Sequence, residues 1–130
     1  MEQKYKDLYN EVMKAVEGDD YDAYESFKFT DAYVFFENCP LNKDDIHKIY
    51  NRLADDCDKL LILVMFLHND CDDELFSKVN ITIDDFEEFI LNYSPNEKQM
   101  KKIYDKICKY NDNFTLSNTL ISKYELSYLL

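Results

Sequence analysis

Asp58-Lys-Leu-Leu-Ile-Leu-Val-Met-Phe-Leu-His68 is the stretch on which the fold turns. Its eight central residues, Leu60 to Leu67, are all apolar. That is far short of the roughly 20 residues a bilayer-spanning helix needs. The run is too uniform for strand or helix to be separated by period, but its Leu and Met content and the capping Asp58 favour a helix. A helix apolar on every side is stable only when other elements surround it. The expectation is therefore a buried central helix over 59–69.

The rest of the chain reads as the surround. Tyr5, Leu8, Tyr9, Val12, Met13 and Val16 recur at i, i+3, i+4, i+7, i+8 and i+11, a single apolar stripe on one helix. Ile46, Ile49, Tyr50 and Leu53 repeat it, as do Ile83, Phe86, Phe89, Ile90 and Tyr93, and Met100, Ile103, Tyr104, Ile107 and Cys108. Ser94-Pro95-Asn96-Glu97 has the order of a capping serine, a first-turn proline and a third-position acid. Asn42 to Asp45, Thr82 to Asp85 and Ser122 to Glu125 have the same box spacing. Helices are expected near 3–16, 30–38, 42–55, 59–69, 82–93, 95–109 and 118–129, with room for a short one in 18–28. One glycine and two prolines supply too few tight turns for a β-sandwich and too little flexible backbone for a glycine-rich phosphate loop. The fold class expected is all-α: one helical domain over 1–130, about seven helices around 59–69.

An echo runs through the chain at an offset of 54 residues. Ile46, Ile49, Tyr50 and Leu53 align with Met100, Ile103, Tyr104 and Ile107, and Phe29, Phe35 and Phe36 with Ile83, Phe89 and Ile90. Amphipathic helices also produce such echoes by chance, so duplication stays open.

With 46% apolar and 15% aromatic residues the chain has enough surface to bury, which disordered chains lack. Its net charge is −12, unevenly spread. Residues 1–93 hold 23 acids against 9 bases, net −14, whereas residues 94–130 hold 4 against 6, net +2. A phosphate backbone demands the opposite sign, so direct nucleic-acid binding is not expected. Clustered carboxylates suit a basic protein surface, whose approach they accelerate. The clusters singled out for partner binding are Asp19, Asp20 and Asp22 in the first, and Asp70, Asp72, Asp73 and Glu74 in the second. Further acids cluster at Asp55-Asp56-Asp58 and Asp84-Asp85-Glu87-Glu88. Basic residues are 14 lysines and one arginine, Arg52, with abundant Asn, Ile and Tyr. That usage follows AT-rich codons, as in many phages, viruses and low-GC bacteria.

No complete catalytic or metal motif is found. His68-Asn-Asp-Cys71, with Cys57, Cys39 or His47, is one loose pair where structural zinc uses two close ones. Cys71 or Cys57 with His47 lacks anything to position a base. Met1-Glu-Gln-Lys-Tyr-Lys-Asp7 is too polar and acidic for a secretory segment, so reduced thiols and a cytoplasmic location are expected. Leu126-Ser-Tyr-Leu-Leu130 has the form of a short groove-docking peptide and is read as packing of the last helix.

Asn80-Ile-Thr-Ile-Asp-Asp-Phe-Glu-Glu-Phe89 and Leu120-Ile-Ser-Lys-Tyr-Glu-Leu126 resemble the end of an EF-hand loop and its exit helix. Each has an isoleucine four residues before a glutamate, Ile83 before Glu87 and Ile121 before Glu125. The resemblance implies helix–loop–helix pairs. It departs from the family at the first ligand positions, Phe76 and Phe114, and at Lys78, Asn80, Leu116 and Asn118, and it lacks the central glycine. No cofactor is expected.

These readings converge on a non-enzymatic, acidic, intracellular binding protein that inhibits or sequesters a basic macromolecular partner. Two others stand beside it: a virus-encoded Bcl-2-like helical groove protein that binds a partner helix, and a degenerate EF-hand-like adaptor.

Overall fold

The computed structural model describes residues 2–18, 21–27, 31–69 and 73–130. They form nine α-helices and a closing 3₁₀ turn, with no strand among them. In order these are α1 (Gln3–Glu17), α2 (Tyr21–Ser26), α3 (Ala32–Asn38), α4 (Lys43–Asp55), α5 (Lys59–His68), α6 (Asp73–Ser77), α7 (Ile83–Tyr93), α8 (Glu97–Tyr110) and α9 (Asn118–Tyr124), and then the turn Leu126–Leu129.

Helix α5 is the axis. Every residue from Leu61 to Leu67 is buried, and α3, α4, α7 and α8 all pack against the helix. Each large side chain so buried contributes about 1.5–3 kcal/mol of hydrophobic stabilisation. Around the axis, α1 packs on α2, α3 and α4, while the closing turn reaches α8. One continuous apolar cluster runs from Val12 to Leu126.

The 54-residue echo is carried into three dimensions. The pairs α3–α4 and α7–α8 each turn from one helix to the next within a short connection and lean on α5. Phe35 and Phe89 are fully buried, as are Ile49 and Ile103. Asn42 and Asn96 each cap the second helix of its pair through a reciprocal box, with Asp45 and Gln99 as partners. Asn38 and Asn92 each donate Nδ2 to the carbonyl four residues earlier, on Val34 and Glu88, at 2.9 Å. The Phe29–Ile83 match lies partly outside the described residues.

Several expectations need correction. Ser94 does not cap α8; it ends α7 in the left-handed region at φ 56°, and Asn96 is the cap. A three-residue connection has to stop one helix before starting the next, and Ser94 is spent on the stop. Ser122 and Glu125 form no box: Ser117 caps α9 by accepting from the Leu120 N–H, and Glu125 terminates it at φ 56°. Asp58 holds the N-cap position of α5, but its carboxylate accepts from the Tyr24 hydroxyl at 3.1 Å and not from the helix. Helix α6 was not expected, because five residues are too few to show a period; Leu75 and Phe76 seat it in the core.

Among the described residues three that are not glycine stand at positive φ, Cys57, Ser94 and Glu125. At the end of α4 the Asp58 N–H bonds Leu53 O at 2.9 Å and the Cys57 N–H bonds Ala54 O at 3.2 Å. This is the paired closure normally built on a glycine, with Cys57 in its place.

Candidate functional site

The corner that Cys57 turns forms one edge of a cleft of about 400 Å³. Asp58 to Leu61 at the start of α5, Ala32 and Tyr33 of α3, and Asp85, Glu88 and Asn92 of α7 complete its lining. The α7 residues stand at i, i+3 and i+7, one face of the helix. Thr82 fixes the first of them: the Thr82 N–H donates to Asp85 Oδ2 at 2.9 Å, and the Asp85 N–H donates to Thr82 Oγ1 at 3.1 Å. Lys59 reaches across the cleft to the same Asp85 oxygen at 3.2 Å. Burial pushes the Asp85 carboxyl up, but the bonds from Thr82 and the Lys59 ammonium outweigh it and hold the group below the usual carboxylate range.

Glu88, one turn further on, is exposed and takes no side-chain hydrogen bond or ion pair among the described residues. Beside it, burial first and the Glu88 charge second push the Tyr33 phenol up. The lining thus carries three carboxylates, Asp58, Asp85 and Glu88, against one ammonium, with an aromatic ring in the wall.

A second polar cluster lies at the other end of α5. The Tyr93 hydroxyl donates to Glu37 Oε1 at 2.9 Å, so its oxygen is left to accept from Nε2–H of His68. Burial pulls the His68 imidazole down, favouring its neutral form; Glu37 opposes this and Lys102 adds to it. Lys102 donates to Leu67 O at 2.8 Å, a carbonyl in the last turn of α5. Lys102 belongs to a lysine row on α8, with Lys98, Lys106 and Lys109, that accounts for the positive balance after residue 93.

Of the residues expected to bind a partner, Asp19, Asp20, Asp70 and Asp72 lie outside the described residues. Asp22 is exposed in the first turn of α2. Asp73 opens α6, and Glu74 beside it is exposed. The cleft instead draws on Asp58, Asp85 and Glu88, which belong to the Asp55-Asp56-Asp58 and Asp84-Asp85-Glu87-Glu88 clusters. The signal for it was present as Asp85, Glu88 and Asn92 on one helical face; its convergence with residue 58 depends on how α5 packs on α7.

The residues at the calcium-ligand positions of the EF-hand resemblance serve other ends. Phe76 and Phe114 are buried in the core, Leu116 with them, and Glu125 stops a helix where the resemblance would extend one. Among the described residues no three His, Cys, Asp or Glu side chains are grouped to hold a metal. Cys39 is a buried thiol, Cys57 an exposed one. No described helix is long and apolar enough to cross a membrane.

The chain matches no protein-family model, no curated protein and no solved structure.

Proposed function

We propose that this chain is a non-catalytic, cytoplasmic binding protein that inhibits or sequesters a basic macromolecular partner. Its type would be the small acidic inhibitors that phages and viruses direct at nucleic-acid-handling enzymes. The observation that supports the reading best is the cleft between α3, α5 and α7, where the charge balance of the whole chain is repeated locally in a concave, partly aromatic setting. Large apolar side chains exposed among the described residues are Val34 on α3, Leu91 on α7 and Leu130 beyond the closing turn. That distribution favours a charged contact over capture of a partner helix in an apolar groove.

The test is kinetic. Association with the partner isolated from the native source should slow steeply between 0.1 M and 1 M salt, as the Debye length shrinks from about 10 Å to about 3 Å. Charge reversal within Asp70-Asp72-Asp73-Glu74, or within Glu17-Asp19-Asp20-Asp22, should slow it further and leave the fold intact. Rates indifferent to both salt and charge reversal would overturn the reading.

A further inference from the structure

We infer that the cleft between α3, α5 and α7 is a seat for a single arginine side chain of the basic partner. The inference rests on the reading of the chain as a captor of such a partner, and it specifies where one cation is received and by what.

The cleft's size falls within the range of pockets that enclose small ligand groups, about 300–1,000 Å³. Its carboxylates are not equivalent. Asp85 is committed to the Thr82 cap and to Lys59. Asp58 is bonded to Tyr24 and offsets the positive end of the α5 dipole. Glu88 remains: exposed on the lining, on the second turn of α7, and sharing that lining with the ring of Tyr33. A carboxylate next to an aromatic ring is the environment that suits a planar guanidinium. Such a group donates in the plane to the carboxylate and lays its face on the ring. A lysine ammonium would gain the charge but not the stacking. Leu60 and Leu61 give the cleft an apolar portion against which the methylene stem can lie.

The direct probe is N-acetyl-arginine methylamide, titrated while backbone amide resonances are followed, with the uncharged isostere N-acetyl-citrulline methylamide as control. Saturable shifts at Tyr33, Leu60, Leu61 and Asn92 with the arginine compound, and none with the citrulline one, are expected. Glu88→Gln should weaken the binding about fivefold, the upper range for one exposed charge pair, whereas Glu11→Gln on the exposed face of α1 should leave it unchanged. Both residues are exposed, so both variants fold. Cys57 gives an independent readout on the rim: its alkylation should slow with the arginine compound and not with citrulline. Shifts spread over the acidic surface, equal shifts from citrulline, or indifference to Glu88→Gln would overturn the inference. Titration with hexa-arginine separates the two levels. Salt-sensitive hexa-arginine binding unaltered by Glu88→Gln removes the seat and leaves the acidic reading standing. A failure of hexa-arginine to bind at any salt removes the acidic reading itself.

Discussion

The Tyr9 hydroxyl donates to Asp45 Oδ2 at 2.8 Å, joining two helices across 36 residues of sequence. Asp45 is the one buried charged side chain among the described residues, 7% exposed. The same carboxylate receives the Asn42 N–H of its own capping box at 3.3 Å, so one acid both starts α4 and ties α1 to it. The bond to the carboxylate is also the largest cause of the upward shift of the Tyr9 phenol, followed by burial.

Removing the hydroxyl alone, Tyr9→Phe, should cost about 1 kcal/mol, the net worth of one such bond. Asp45→Ala also loses the reciprocal bond from the Asn42 N–H and strands the tyrosine, and should cost about 2–3 kcal/mol. Urea denaturation of both variants measures this. Equal losses would mean that Tyr9 is not bound to Asp45 in solution.

The left-handed residues make the opposite kind of prediction. A side chain with a Cβ costs about 1 kcal/mol there relative to glycine. Cys57→Gly and Glu125→Gly should therefore each raise stability by about that much, whereas Cys57→Ala should bring no gain. Thermal melts of the three variants decide it, and a destabilised Cys57→Gly would contradict the helix closure at the end of α4.

His68 should give the stability a step in mildly acid solution. Its folded pKa is lowered by burial, so the unfolded chain takes up the proton first as pH falls below about 6.5. Stability contributed by the neutral ring is complete above that value and lost as pH falls towards the lower folded pKa. Glu37, which faces the ring through Tyr93, and Lys102 act in opposite directions on the shift. His68→Gln should abolish the step; a melting temperature as pH-dependent between 7 and 5 in the variant as in the parent would refute it.

Asp85 acts lower on the scale. Its carboxyl is held below the unfolded value of about 3.9, so its stabilisation is present above that pH and disappears as pH falls through the folded value. Asp85→Asn should weaken the chain at neutral pH and flatten the acid limb of its stability curve. An unaltered acid limb would show that neither Thr82 nor Lys59 steadies the carboxylate.

Much of this architecture could be read in the residues. The apolar run from Leu60 placed the central helix, and the stripes through Tyr5, Ile46, Phe86 and Met100 placed four helices around it, because packing against a core imposes a 3.6-residue period on any sequence. Asn42 and Thr82 announced their caps for a similar reason: a box is a local bond pattern within four residues. What stayed hidden was decided by competition or by distance. Ser94 had the chemistry of a cap and was taken by the preceding helix. Asp58 had it too and turned to Tyr24, 34 residues away. The cleft depends on residues 33, 57–61 and 85–92 meeting, and no local pattern in the chain encodes that meeting.

A helix apolar on all sides has a consequence for how the chain is made. The first sixty-nine residues hold α3 and α4, which cover α5 on one side in the finished fold. The flank that α7 and α8 will occupy stays bare until some forty more residues have emerged. Throughout that interval the nascent chain displays an oily ridge in water. That ridge is the natural docking point for a chaperone and the natural starting point for aggregation. Truncation after residue 69 should therefore yield insoluble protein, although the fragment holds one of the two similar helix pairs whole.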